Sequence, residues 1–154
     1  MLSWEFKPYH QLTIDEFHDL VALRVNVFVV EQDCPYPELD GNDKLAHHLI
    51  CKNENNELVG TLRILPKDTN YPELSIGRVV INPKFRGQKL GHEMMEKTLL
   101  FIKKTFNPDV IKISAQKHLE KFYNNHNFVS TGKEYLEDGI PHVEMIFKTN
   151  KHEL

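Results

Sequence analysis

Apolar and polar positions follow two periods along the chain, and these periods predict its first strand and first helix. Residues 4–7 (Trp-Glu-Phe-Lys) alternate, which is typical of an edge strand with one buried face. From about 14–30 apolar residues recur at intervals of three and four, so we expect an amphipathic helix. Thr13 and Glu16 predict a capping box at its start. The β-branched run at 25–30 is expected to loosen or break this helix.

Later segments predict a sheet with both parallel and antiparallel strands. A strand at about 74–81 is followed by a turn, a helix at about 87–105 with a buried face, and an apolar strand at 109–115. A strand–helix–strand unit of this kind favours parallel pairing. The other predicted elements are strands at about 46–52, 58–65, 128–136 and 142–147 and a short helix at 118–126. Turn-forming residues join the first two and the last two of these strands as hairpins, so the sheet should be mixed.

Length and composition favour one globular domain. The chain has 154 residues, of which 40% are apolar and 27% charged, enough to bury a single core. We expect one domain over residues 1–148 and a polar tail at 149–154. With a formal net charge of −3 and scattered lysines and arginines, the sequence lacks the basic patch of a nucleic-acid-binding protein.

The apolar runs, the cysteines and the histidines lead us to expect a cytoplasmic protein without a metal ion. No apolar run approaches the ~20 residues of a membrane span, and the N-terminus lacks a signal pattern, so we expect no membrane partner. Cys34 and Cys51 are too few for a disulfide framework and are expected to be reduced thiols. His47 and His48 are adjacent in a predicted strand and point to opposite faces, so we expect them to bind no metal.

The segment 76–95 combines a β-branched strand, a turn and the start of an amphipathic helix. Backbone N–H groups in such a turn and at a helix N-terminus attract anions, so the N–H groups of Gly87 to Gly91 are suited to a diphosphate. Arg86 would either pin the turn or reach a phosphate. A glycine-containing helix cap that binds nothing is the structural alternative.

Two motifs in this order of elements resemble the GNAT N-acyltransferase superfamily, whose members transfer acetyl from acetyl-coenzyme A to an amine. Residues 86–91 (Arg-Gly-Gln-Lys-Leu-Gly) are similar to its Arg/Gln-x-x-Gly-x-Gly turn, and residues 122–128 are similar to its Phe-Tyr-x-x-x-Gly-Phe motif. Segments 24–36 and 137–142 resemble the ElaA-like group within it. Lys89 and Asn127 stand where the family has glycine. Lys89 is expected to add a charge contact, and Asn127 still tolerates a left-handed helix cap.

The resemblance implies an α/β fold with a mixed, bent sheet of six or seven strands, about four helices and a splayed central strand pair. It also implies that the pantetheine arm of acetyl-coenzyme A lies along the strand at 79–81 and that the Ile81 N–H stabilises an oxyanion. The residues expected to bind this cosubstrate are Val79, Val80, Ile81, Arg86, Gly87, Gln88, Lys89, Leu90, Gly91, Gln116 and Phe122.

Acyl transfer to an amine needs a base for the amine and an acid for the departing thiolate. Tyr123 matches the position of the family's general acid, since a phenol with a pKa of ~10 can protonate a thiolate. Glu31 is the predicted base, with His48 and His142 as the next candidates. The remaining candidates on the same segments are Asp33, Asp40 and His47. Each has a structural alternative, as a surface carboxylate or as a strand histidine held by a hydrogen bond.

Arg24 lies on the apolar stripe of the first helix, where a charge needs a partner. We expect Glu31 or another acid to pair with it and fix the irregular loop that follows the helix up to residue 44. Arg24, His48 and His142 are predicted to contact the acceptor substrate. The acidic residues of the loop favour a cationic acceptor such as a primary amine or polyamine. They are Asp33, Glu38, Asp40 and Asp43.

The predicted function is therefore an acetyl-coenzyme A-dependent N-acetyltransferase, acting as a monomer or homodimer on an amine of a small molecule or peptide. Two alternatives remain open. A non-catalytic acyl-coenzyme A sensor would keep the turn at 86–91 without needing Tyr123. A regulatory domain that binds another nucleotide would need only the helix N-terminus.

Overall fold

A computed structural model describes residues 1–149 of the chain. The chain packs into two compact units. The first unit comprises Met1–Pro66 and Gly77–Leu90, and the second comprises Lys67–Ile76 and the residues from Gly91 on. The expected domain over 1–148 stays a prediction, and the expected tail lies outside the described residues except for Thr149, whose hydroxyl donates to the Pro108 carbonyl at 2.6 Å.

Seven strands and three α-helices make a mixed α/β fold, and the sheet has the strand order β1-β2-β3-β4-β5-β7-β6. The elements are β1 (Ser3–Pro8), α1 (Ile14–Arg24), β2 (His47–Lys52), β3 (Leu58–Leu65), β4 (Leu74–Ile81), α2 (Leu90–Thr105), β5 (Val110–Gln116), α3 (Glu120–Asn124), β6 (Val129–Glu137) and β7 (Ile140–Lys148). Every predicted strand is confirmed. The described residues hold three α-helices where about four were expected, and the segment directly after α1 forms a π-helix over Val25–Glu31. Within residues 1–149, none of the helices is long and apolar enough to cross a membrane.

In the first unit, α1 starts at the predicted capping box. The Thr13 hydroxyl accepts from the Glu16 N–H at 3.0 Å, and the Glu16 carboxylate accepts from the Thr13 N–H at 2.9 Å. The β-branched run does not break the helix, which widens into a π-helix over Val25–Glu31. Crowding of branched side chains against the preceding turn gives a physical reason for the wider turn.

The first unit also fixes the C-terminal half of β4. Val80 is buried in a cluster with Leu23 of α1 and Val27 of the π-helix. Val79 and Ile81 point to the opposite face and are only partly buried. The backbone of residues 79–81 is thus held in place by the buried side chain of Val80.

The second unit contains the predicted parallel strand pair. β4 pairs with β5 through Leu74 and Ile111 and through Ser75 and Lys112, and among the described residues the ladder consists of these two pairs. β7 then pairs antiparallel with both β5 and β6. The face of α2 that is buried carries Met94, Met95, Thr98 and Ile102.

The segment from Gln32 to Ala46 is fastened by a group of buried ion pairs. Arg24, which is 1% exposed, donates from Nε to Glu38 at 2.5 Å and from Nη1 and Nη2 to Asp43 at 2.8 and 3.1 Å. The partner of Arg24 is therefore another acid and not Glu31. Arg24 joins the end of α1 to two points of the loop.

Two arginines of the sheet complete this arginine–carboxylate network. Arg63 of β3 donates to Asp40 at 2.6 and 2.9 Å and to Asp43 at 3.1 Å. Arg78 of β4 donates from Nε to Glu38 at 3.0 Å, and its backbone has a φ of +52°. The network comprises Arg24, Glu38, Asp40, Asp43, Arg63 and Arg78.

Pairing with arginine decides the charge state of the loop carboxylates. Burial opposes ionisation of Asp40, but hydrogen bonds from Arg63 hold the pKa of this carboxyl below its ordinary value. Burial also opposes ionisation of Asp43, whose pKa is held low chiefly by Arg24. Because three of the four loop carboxylates already neutralise guanidinium groups, the predicted attraction of this loop for a cationic acceptor loses its basis.

We expect Asp43→Asn to lower the free energy of unfolding by about 3–5 kcal/mol, because it leaves two buried guanidinium groups without a shared carboxylate. Urea denaturation of the variant and of the parent measures this difference. Asp19→Asn, at an exposed position of α1, is the control and should change little. A loss below about 1 kcal/mol for Asp43→Asn would show that the network does not hold the loop.

Candidate active site

In the first unit, an exposed turn connects β4 to α2. A 3₁₀ turn over Pro83–Phe85 is capped by Asn82, whose side chain accepts from the Lys84 N–H at 3.1 Å. Two positive φ angles follow, +85° at Gly87 and +59° at Lys89. Lys89 therefore has a left-handed backbone conformation, which glycine adopts more readily than residues that carry a side chain.

The backbone of this turn offers unpaired donors. Within residues 1–149, the N–H groups of Gly87, Gln88 and Lys89 donate to no backbone carbonyl. Consecutive N–H groups in a turn with left-handed residues form an anion-binding concavity, and the turn leads directly into α2 at Leu90. The geometry of residues 87–89 suits an anionic ligand.

Arg86 is bound by Glu31 in a bidentate ion pair. Nη1 and Nη2 each lie 2.7 Å from one carboxylate oxygen, and both side chains are nearly half exposed. The hydrogen bonds from Arg86 lower the pKa of Glu31, which makes this carboxylate a weaker base than an isolated one. The base role of Glu31 and the phosphate role of Arg86 both stay predictions, and the structure adds that the two side chains hold each other.

His48, a predicted contact of the acceptor, is fully enclosed in the first unit. Its Nε2–H donates to the Asp43 carbonyl at 2.9 Å, and burial lowers its pKa. Arg24 is similarly enclosed by its carboxylate partners. Both side chains support the loop from inside, and their predicted contact with substrate stays a prediction.

In the second unit, Tyr123 is a buried phenol held by aromatic rings. Its side chain is 6% exposed and packs edge-on against Phe122 at 5.1 Å and Phe128 at 5.9 Å between ring centroids. Burial raises the pKa of Tyr123 above its ordinary value, so the hydroxyl carries its proton at neutral pH. The Asn127 backbone has a φ of +68°, as expected of a residue that replaces a capping glycine.

Phe122 also makes close contact with Gly91 at the start of α2. A Cβ atom added to Gly91 would lie 3.3 Å from the ring, which explains a small residue at this position. The ring also lies 4.8 Å from His92, whose Nδ1 is 2.9 Å from Nε2 of His126. The sequence offers no sign of this histidine pair, because its members are 34 positions apart.

His142 lies across from Gln116 in the β5–β7 ladder, close to three residues that the sequence did not single out as site residues. Its side chain is 7% exposed, and Nδ1–H donates to the Ile140 carbonyl at 2.7 Å. The neighbouring residues are Ser114, Tyr135 and Glu137. Whether Gln116 and His142 contact ligands stays a prediction.

Arg63 and Arg78 were missed as members of the network. A signal for Arg63 existed, since it is a charged residue between Leu62 and Ile64 in an apolar strand, and a buried charge needs partners. Cys34 and Cys51, by contrast, are reduced thiols as expected, and both are buried.

Known proteins are similar to this chain over most of its length. A family described as "Acetyltransferase (GNAT) domain" matches residues 18–149. The protein ElaA of Escherichia coli is 37% identical over 146 residues, which are 94% of this chain and 95% of ElaA. Its crystal structure has a TM-score of 0.89 and 35% identity, covering 96% of this chain and 100% of that one. An acyl-CoA N-acyltransferase from Pseudomonas aeruginosa has a TM-score of 0.89 and 39% identity, with coverages of 96% and 99%.

Lys89→Gly should relieve the strain of the left-handed backbone and so raise the free energy of unfolding by ~1–2 kcal/mol. The greater entropy of glycine in the unfolded chain partly offsets this gain. Gln88→Gly is the matched control, because its backbone has no positive φ to relieve. We expect Lys89→Gly to be the more stable of the two by roughly 1 kcal/mol in urea denaturation. Equal stabilities would argue against the positive φ at Lys89.

Proposed function

Because this chain belongs to the GNAT acetyltransferase family, we propose that it is an N-acetyltransferase that transfers acetyl directly from acetyl-coenzyme A to an amine of a small molecule or peptide. The observation that carries the proposal is the exposed turn 87–89, whose unpaired N–H groups precede a helix. The similar protein from P. aeruginosa is described as an acyl-CoA N-acyltransferase, and this description supports an acyl-coenzyme A donor.

Donor binding is assigned to the turn and to the strand before it. The N–H groups of residues 87–89 would receive the diphosphate, and the positive partial charge of the helix N-terminus would add to their attraction. The ammonium of Lys89 supplies a further positive charge. The main chain at 79–81 would hydrogen-bond the pantetheine arm, and Val80 supports this assignment because its burial holds that backbone in place.

The reaction forms one bond and breaks one. The amine nitrogen attacks the thioester carbonyl, the Ile81 N–H stabilises the oxyanion, and collapse of the tetrahedral intermediate breaks the carbon–sulfur bond. We assign protonation of the thiolate to Tyr123. A phenol that stays protonated and makes no side-chain hydrogen bond within residues 1–149 supports this role.

The amine must also lose a proton. Glu31 is a candidate for this step, but its lowered pKa reduces its basicity. Its ion pair with Arg86 supports a second role, in which the carboxylate orients the guanidinium beside the turn.

Tyr123→Phe should lower kcat by about 10²-fold or more and leave the Kd of acetyl-coenzyme A unchanged, because the general acid is lost while the turn is intact. Thiol release over a panel of primary amines measures turnover. Tyr9→Phe is the control, since it removes a phenol whose ring packs edge-on against Phe17 in the first unit.

The enzyme and the non-catalytic sensor should give different results in this experiment. An unchanged kcat in Tyr123→Phe would exclude Tyr123 as the acid while retaining the enzyme. Binding of acetyl-coenzyme A by the parent chain without release of thiol on any amine would instead favour the sensor.

Gly87→Glu should abolish binding of acetyl-coenzyme A in calorimetry, because it places bulk and negative charge where the diphosphate is proposed to lie. Gly132→Glu is a matched control. Both glycines have a left-handed backbone, with φ of +85° and +90°, and neither has an atom within 4 Å of an added Cβ. Equal losses in the two variants, or none, would place the diphosphate elsewhere.

A further inference from the structure

One face of the sheet in the second unit carries polar side chains from three strands. Along β5, buried Ile113 and Ala115 alternate with partly exposed Ser114 and Gln116. The register sets Gln116 opposite His142 on β7 and His142 opposite Tyr135 on β6. A chain of polar contacts joins several of these residues.

Glu137 and His142 form the centre of this chain. Nδ1 of His142 must donate at 2.7 Å, because the Ile140 carbonyl only accepts. Neutral His142 therefore presents a lone pair at Nε2, and this atom lies 3.4 Å from Oε2 of Glu137. In this neutral state, the two acceptors that face each other need a donor that both can share.

The remaining contacts orient the Glu137 carboxylate. Ser114 donates to its Oε1 at 3.3 Å, and the Ser114 oxygen lies 2.5 Å from the Tyr135 hydroxyl. The Tyr135 ring stacks on the His142 imidazole with 6.2 Å between centroids. Since the Glu137 side chain is 47% exposed, a ligand from solvent can reach Oε2.

The same face already holds an ammonium group of the chain itself. Nζ of Lys112 lies 4.6 Å from the centroid of the Tyr71 ring and 2.9 Å from the Glu144 carboxylate. An aromatic ring and a carboxylate together bind a cation here, as general physical chemistry predicts. Glu137, His142 and Tyr135 bring together the same kinds of group, and Nζ of Lys133 lies 5.8 Å from the centroid of the Tyr135 ring. Among the described residues, Glu137 forms an ion pair with His142 and with no lysine.

We propose that Glu137 and His142 bind the protonated amine of the acceptor, with the ammonium donating one hydrogen to Oε2 of Glu137 and one to Nε2 of His142. This inference rests on the proposed acetyl transfer for its catalytic meaning. One proton then passes from the ammonium to Nε2, which leaves a neutral amine with a free electron pair and an imidazolium beside Glu137. The acceptor is thus a primary amine that is cationic in solution, and His142 takes the base role.

The test is an NMR titration of labelled full-length protein with n-butylammonium and with spermidine, at saturating coenzyme A. We expect saturable shifts at the His142 and Tyr135 rings with at least one probe. Glu137→Gln should weaken that binding at least tenfold, because its amide donates to Nε2 and removes the negative charge. Glu134→Gln, on the same exposed strand, is the matched control and should bind as the parent does. The neutral probe 1-butanol should cause no shift at these rings.

The possible outcomes test the ammonium site and the proposed acetyl transfer separately. Shifts that do not saturate, or equal binding by Glu137→Gln and Glu134→Gln, overturn the inference. Full kcat/KM for an amine in Glu137→Gln overturns it too and leaves the proposed function standing. If the ammonium binds as expected but the parent releases no thiol on any amine, the binding site stands and the proposed function fails.

Discussion

The arginine–carboxylate network is the constraint on which the first unit depends. Arg24, Arg63 and Arg78 place three positive charges in the first unit, and each charge is tolerable only because carboxylates of one loop reach it. Apart from a short 3₁₀ helix at Asn42–Leu45, the described residues of this loop form no helix or strand, so its conformation is set by these ion pairs. The network therefore joins a long irregular segment to α1, β3 and β4.

The network also constrains β4, the strand to which the pantetheine arm is assigned. Arg78 has a left-handed backbone within this strand, while its side chain donates to Glu38. A non-glycine residue keeps such a backbone only where surrounding contacts over-determine it. Val80, two residues on, adds the apolar contact with α1 and the π-helix.

Local rules predicted most of the secondary structure and few of the side-chain pairings. The capping box at Thr13 and all seven strands follow from patterns within a few residues, and the structure confirms them. The partners of Arg24 lie 14 and 19 positions away, and no local period specifies which of several acids reaches it. For the same reason the sequence did not single out Ser114, Tyr135 and Glu137 beside His142, since strand register brings them together.

The two departures from the family motifs preserve backbone conformation. Lys89 and Asn127 both occupy the left-handed region that glycine would favour, so the turn and the end of α3 keep their geometry with other side chains. Lysine and asparagine in place of glycine predicted a poorer match to the motifs than their left-handed backbones indicate. Side-chain identity is thus a poorer guide to this turn than the φ angles of its backbone.

A crystal structure of the chain with coenzyme A would show directly whether the turn at residues 87–89 binds the diphosphate. We expect diphosphate oxygens within hydrogen-bonding distance of the N–H groups of Gly87, Gln88 and Lys89, at about 2.7–3.2 Å from nitrogen to oxygen. A diphosphate bound at any other part of the chain, with these three N–H groups left in solvent, would contradict it.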